Sequence, residues 1–123
     1  MDIDIVAIHT VLAGYGRLID TRNAYDWARL FAADGRLEIV GHEPHIGHEA
    51  LRAFAENSPV GTHLTGIPEI ERLRSGEVSC VSTWLFRNRV DGAIKTGLYR
   101  DVLVRDPATD ELLFAHRLIE MAG

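Results

Sequence analysis

Two periodicities divide this chain, and no single kind of regular element satisfies both. Ile5, Ile8, Leu12, Tyr15 and Ile19 recur at steps of three and four, the period of one helix face. This spacing predicts a first helix over residues 3 to 21. Asn23 with Asp26 three positions later reads as a second helix start, Trp27 and Phe31 fall on one face of it, and Gly35 after "FAAD" reads as its stop. "RLEIV" then reads as a strand, "GHEPHIG" as a loop, and "HEALRAFAEN" as a third helix ending before Ser58 and Pro59. Beyond this point the period changes. Residues 62 to 71, 77 to 90, 93 to 106 and 111 to 121 are rich in β-branched and aromatic side chains, with "RSGE", "DG" and "DPATDE" as turns between them. Four such strands in succession imply an antiparallel meander, and Pro68, which lacks a backbone donor, marks the first of them as an edge or a bulge.

Helices in one half and strands in the other define an α+β fold, a single domain over residues 1 to 123 with three helices against one face of a curved antiparallel sheet. The chain's 123 residues are enough for one hydrophobic core. Its formal charge of −5 is spread without a Lys/Arg block, so neither nucleic acid nor an anionic membrane is an expected partner. No apolar run reaches membrane-spanning length, and "MDIDIVAIH" carries neither a positive leader nor a cleavage site, so a cytoplasmic location is expected. The single cysteine, Cys80, lies in a strand-like run and is expected as a reduced, buried thiol. Both alternations of the meander are apolar: Val81 and Leu85 oppose Cys80, Trp84 and Phe86, while Ile94, Leu98 and Val102 oppose Tyr99 and Leu103. The helices can cover one face only, so a homodimer through the sheet is expected.

Asp20 is the residue whose place raises a chemical question. At 100° per residue it lies roughly 100° from the centre of the apolar stripe, on the flank of His9, Ala13 and Gly16. Ala13 and Gly16 would leave room beside it. Two readings stand: a solvated last turn, where a carboxylate opposes the helix dipole, or a carboxylate aimed into a cavity.

The element order, "DWARLFAADGRLEI", "GHEALRAF", "THLTGIPEIE" and "GLYRDVLVRDPATDELLFAHRLI" together resemble the SnoaL-like branch of the nuclear transport factor 2-like superfamily. The resemblance implies a cone-shaped half-barrel holding an apolar pocket, in a superfamily of dehydratases, isomerases, epoxide hydrolases, polyketide cyclases, dioxygenase small subunits and non-catalytic binders. Fold alone does not choose among these. In scytalone dehydratase and hexachlorocyclohexane dehydrochlorinase an aspartate at the matching helix end pairs with a histidine, and the matching residues here are Asp20 and His63. The resemblance therefore implies a dyad in which His63 moves a proton and Asp20 holds its tautomer. It also assigns Tyr99 and Arg117 to the pocket wall, where a phenol or guanidinium would polarise a carbonyl. Ile19 stands where the dehydratase has tyrosine, and Ile67 where the dehydrochlorinase has asparagine.

Three other features weigh less. His42, His45 and His48 form an H-x-x-H-x-x-H run, but Pro44 and Gly47 interrupt it; solvated loop histidines are expected and no metal. Trp27 with Phe31 and Trp84 with Phe86 are expected as packing, with Trp84 also a candidate substrate-binding wall residue. "GHEPHIGHEAL" lacks the spacing of nucleotide-binding loops, so no cofactor is expected. The resulting expectation is a cofactor-independent lyase or isomerase acting on a small, largely apolar, oxygenated molecule. The alternatives are a non-catalytic binder of a similar ligand and an accessory subunit supporting another chain.

Overall fold

The structure, a computed structural model, describes residues 4–123. It contains α1 (Ile5–Asp20), α2 (Ala24–Ala28), β1 (Phe31–Ile39), β2 (His45–Ile46), α3 (His48–Glu56), β3 (Gly61–Thr65), β4 (Glu69–Arg72), β5 (Val78–Asn88), β6 (Ile94–Arg105) and β7 (Leu112–Met121). The expected first helix began at residue 3, which lies outside the described residues. α1 starts after Asp4, whose carboxylate accepts a hydrogen bond from the Ala7 backbone N at 3.0 Å and so satisfies a free first-turn donor. Ile8, Val11, Leu12, Tyr15 and Ile19 form its buried face, whereas Ile5 is half exposed.

The second helix is shorter than its pattern suggests. The Asn23 side chain caps it by accepting from Asp26 N, but it ends at Ala28, and Phe31 begins a strand. Gly35 is therefore not a helix stop. It lies within β1 at an irregularity between Phe31 and Arg36 in the pairing with β7, where a Cβ would come within 3.0 Å of the Phe114 carbonyl oxygen and 2.8 Å of Phe31 Cβ. Parallel pairing with β7 at Phe31 and again from Arg36 to Ile39 holds the intervening Ala32 and Ala33 in the strand against their helix preference, a case of tertiary context outweighing local propensity.

The seven strands form one open, curved sheet in the order β2-β1-β7-β6-β5-β3, with β4 also paired to β5. β1 runs parallel to β7 and the remaining pairs are antiparallel, so the sheet is mixed and not wholly antiparallel as expected. The segment from 62 to 71, expected as one strand, divides into β3 and β4 around Gly66, Ile67 and Pro68, and both pieces lie along the same side of β5. Pro68 sits in this break, where no donor is demanded of it.

The helices close the concave face. Trp27, fully buried, packs its ring against Phe31, Tyr15 and Phe54 at centroid distances of 5.3, 5.4 and 5.8 Å, joining α2, β1, α1 and α3 in one aromatic core. Cys80 is a buried free thiol, and burial pushes its pKa up to about 11. Among the described residues, no helix is long and apolar enough to cross a membrane.

Candidate active site

A cavity of about 220 Å³ lies between α1, the C-terminal end of α3 and the concave face of β5, β6 and β7. His63 on β3 and Tyr15 and Ile19 on α1 form one wall of it, and Trp84, Phe86 and Tyr99 from the sheet form the other. Alternation along β5 and β6 puts Trp84 with Phe86, and Gly97 with Tyr99, on the same concave face.

Asp20 and His63 meet at this wall. Asp20 Oδ1 lies 2.6 Å from His63 Nδ1, and Oδ2 accepts a hydrogen bond from the backbone N of the same residue at 2.7 Å. Both oxygens of one carboxylate thus grip one histidine, at the ring and at the main chain. The side chains retain only 15% and 18% exposure for His63 and Asp20, so water competes weakly for the pair. A proton on Nδ1 is the arrangement this contact favours, which leaves the Nε2 lone pair available; Nε2 has no hydrogen-bond partner among the described residues. Packing fixes the ring further, with Phe86 at 4.6 Å and the edge of Tyr15 at 6.1 Å between centroids.

Gly16 makes the meeting possible. A Cβ there would stand 3.1 Å from His63 Cβ and 3.5 Å from its carbonyl oxygen. The missing side chain on this flank makes room for the strand that carries the histidine. Ala13, on the same flank, is exposed and borders a separate groove.

Tyr99 lies in the wall, and burial, followed by the nearby Tyr15 phenol, holds its pKa well above that of a free phenol, with Arg117 pulling the other way. Tyr15 is pushed up to about 12, also mainly by burial. Both phenols are therefore neutral at pH 7 and keep O–H groups that can donate. Trp84 stacks on Tyr99 at 5.8 Å and donates from Nε1 to the Glu120 carbonyl oxygen at 3.2 Å. It crosses Gly97, where there is no room for a Cβ beside Glu120 O and Trp84 Nε1.

Arg117 departs from expectation. It is not a wall residue and does not border the cavity; nor is it on the surface. Its guanidinium is completely buried and forks onto Asp101, with Nε donating to Oδ1 at 2.7 Å and Nη2 to Oδ2 at 2.9 Å. Burial works against its charge, but the Asp101 carboxylate more than offsets this and raises its pKa. The guanidinium carbon lies 3.7 Å from the ring centre of Tyr99, 4.2 Å from that of Tyr15 and 4.4 Å from that of Phe114. Arg117 thus supports the tyrosines from behind, and any ligand would feel it through them. Ile67 is also outside the cavity, almost fully exposed at the β3–β4 break, so its difference from the dehydrochlorinase pattern does not alter the wall. Ile19, by contrast, is a wall residue.

The loop histidines are engaged separately. His48 Nε2 contacts the Phe31 carbonyl oxygen at 2.8 Å, and the His45 ring packs on Phe54 at 4.7 Å. Among the described residues no three His, Cys, Asp or Glu side chains are grouped as a metal would require. Tyr15, which helical spacing assigns to the core stripe, and Lys95, on β6, also border the cavity, and the sequence pattern marks neither as a site residue. A hydroxyl on an otherwise aliphatic stripe was the available signal for the first.

A curved sheet closed by helices, with a histidine clamped by a carboxylate at an apolar cavity, defines a class of small α+β domains with a pocket between helices and sheet. The sequence profile of the SnoaL-like domain matches residues 3–117, and the chain belongs to that family, whose fold is nuclear transport factor 2-like. A function-unknown protein of Mycobacterium tuberculosis is similar in structure, with a TM-score of 0.85 and 24% identity over 96% of this chain and 71% of that one. A putative scytalone dehydratase of Novosphingobium aromaticivorans gives 0.80 and 18%, covering 95% and 83%. A Catenulispora acidiphila protein solved in complex with S-DNPA gives 0.76 and 27%, covering 94% and 91%. No curated protein matches the chain.

Proposed function

We propose that this protein is a cofactor-independent lyase or isomerase working in the cytoplasm on a small, largely apolar, oxygenated molecule. The observation that carries this reading is the two-point grip of Asp20 on His63 at the cavity wall. His63 Nε2 takes a proton from a carbon next to a carbonyl, and the C–H electron pair becomes a carbon–carbon double bond as charge moves onto the carbonyl oxygen. Asp20 stabilises the imidazolium that forms. The neutral phenols of Tyr99 and Tyr15 are suited to donate to the developing oxyanion. Returning the proton to another carbon gives an isomer; giving it to a departing β-hydroxyl gives an alkene and water. Either outcome restores the neutral histidine.

That the Catenulispora relative was solved in complex with S-DNPA supports a ligand-holding reading. A non-catalytic binder is the second reading, favoured by Ile19 and Phe86, which surround the histidine with hydrocarbon and offer no further proton carrier.

The test is deuterium exchange from D2O into the α-carbon of small aromatic ketones and β-hydroxy ketones, followed by NMR. Wild type should exchange the α-proton of at least one ligand it binds, His63→Ala should lose nearly all of this while keeping affinity within a few fold, and Asp20→Asn should lose about 10²-fold or more. Ligands that bind without any exchange would leave the binder reading.

A further inference from the structure

We propose that Lys95 is a specificity-determining residue, holding an anionic group of the ligand, a carboxylate or its equivalent, at the cavity rim opposite His63. The inference rests on the ligand-holding reading above and adds the chemical class of what is held. The register of the sheet sets the geometry: His63 pairs with Phe86, and Phe86 pairs with Lys95, so the three stand in one row across β3, β5 and β6. All three border the cavity. Two strand spacings of about 4.8 Å separate the histidine's backbone from the lysine's by roughly 10 Å, with the Phe86 ring as the floor between them.

Lys95 is the only lysine or arginine bordering the cavity among the described residues, and it has neither an ion pair nor a hydrogen bond among them. Of the other polar rim groups, Asn88 and Asp91 each hold the hairpin turn with one oxygen, while the Asp91 carboxylate keeps its negative charge. Asn88 Oδ1 accepts from Val90 N at 2.8 Å, and Asp91 Oδ1 accepts from Ala93 N at 2.8 Å, both within the β5–β6 turn. An uncommitted lysine on a hairpin is ordinarily just solvated. This one is exposed and borders the cavity in a row with His63, so its charge stands at the mouth, where it can meet an anion. At the other end of the row stands the fixed negative charge of Asp20 behind His63. An anionic ligand is therefore repelled at one end and attracted at the other. These two charges favour the anion at Lys95 and the apolar, reacting portion over Phe86 toward His63, against the Asp91 carboxylate that also borders the rim.

The test uses a matched pair of probes, 2-naphthoate and 2-naphthamide, titrated calorimetrically against the intact protein. Wild type should bind the carboxylate about tenfold more tightly than the amide, with the ratio falling as salt rises. Lys95→Met should bring the ratio to about one, Lys95→Glu should invert it, and Lys95→Arg should retain most of it. Amide affinity should stay level throughout. Equal affinities in wild type, or a preference that survives Lys95→Met, would overturn the role of Lys95 while leaving the cavity reading intact. Failure of wild type to bind either probe would overturn both. Selective carboxylate binding without any ketone exchange would sink only the catalytic step.

Discussion

At the scale of single residues, two carboxylates on this fold do different work because of what surrounds them. Asp20 is partly open and grips a group that can change charge; Asp101 is completely buried and grips one that cannot. Two charges cost several kcal/mol each to bury, and only the paired geometry compensates. Arg117→Met should therefore destabilise the protein by about 3–5 kcal/mol, because it strands the Asp101 carboxylate in the core and withdraws the cation from three aromatic rings. Replacing both members, Arg117→Met with Asp101→Leu, should recover most of that loss. Urea unfolding of the two variants checks the point, and a double variant as unstable as the single one would show that the pair is not the unit of stability. None of this was legible from residue type. Strand alternation put Asp101 beside Tyr99, but nothing local stated that an arginine sixteen positions later would be buried against it.

Among the elements, α1 and β3 decide whether a site exists. The apolar stripe places α1 on the sheet, and Asp20 borders that stripe as helical geometry requires. The approach of β3, however, depends on a missing side chain at Gly16. Gly16→Val should push β3 away from α1, since even a Cβ would stand 3.1 Å from His63 Cβ, and the branched methyls have nowhere to go. The expected result is loss of the Asp20–His63 hydrogen bonds, read as an upfield shift of the His63 Nδ1 proton, with a stability loss of about 1–3 kcal/mol. An unchanged resonance would mean that the helix and strand are not held at contact distance by this glycine. α1, α3 and the three long strands were legible because their periods extend over two turns or more. β1 was not: "FAADG" has helix-favouring composition, and only its partner β7, some eighty positions away, makes it a strand.

For the whole molecule the unanswered demand is the convex face. Val81, Leu85, Leu98 and Val102 lie there only half buried, and Leu64 and Ile94 are exposed at 62% and 60%. The helices all pack on the other side. We propose a homodimer through this face: sedimentation at micromolar concentration should give twice the chain mass of 13.7 kDa, and Leu98→Arg should give monomers. A wild-type monomer at that concentration would remove the sheet-to-sheet interface from the account.

The sequence by itself determined the fold class, the strand-rich second half, the cap at Asn23 and the edge position of the segment that holds Pro68, because each depends on neighbours within a few positions. It also placed Asp20 at the border of the core, and family resemblance brought His63 to it. Only the tertiary structure decided that the sheet is mixed, that Arg117 stands behind the wall and not in it, and that Lys95 shares a row with His63. Those facts depend on strand register and burial, which are set by contacts between segments far apart in the chain and leave no periodic trace in any one of them.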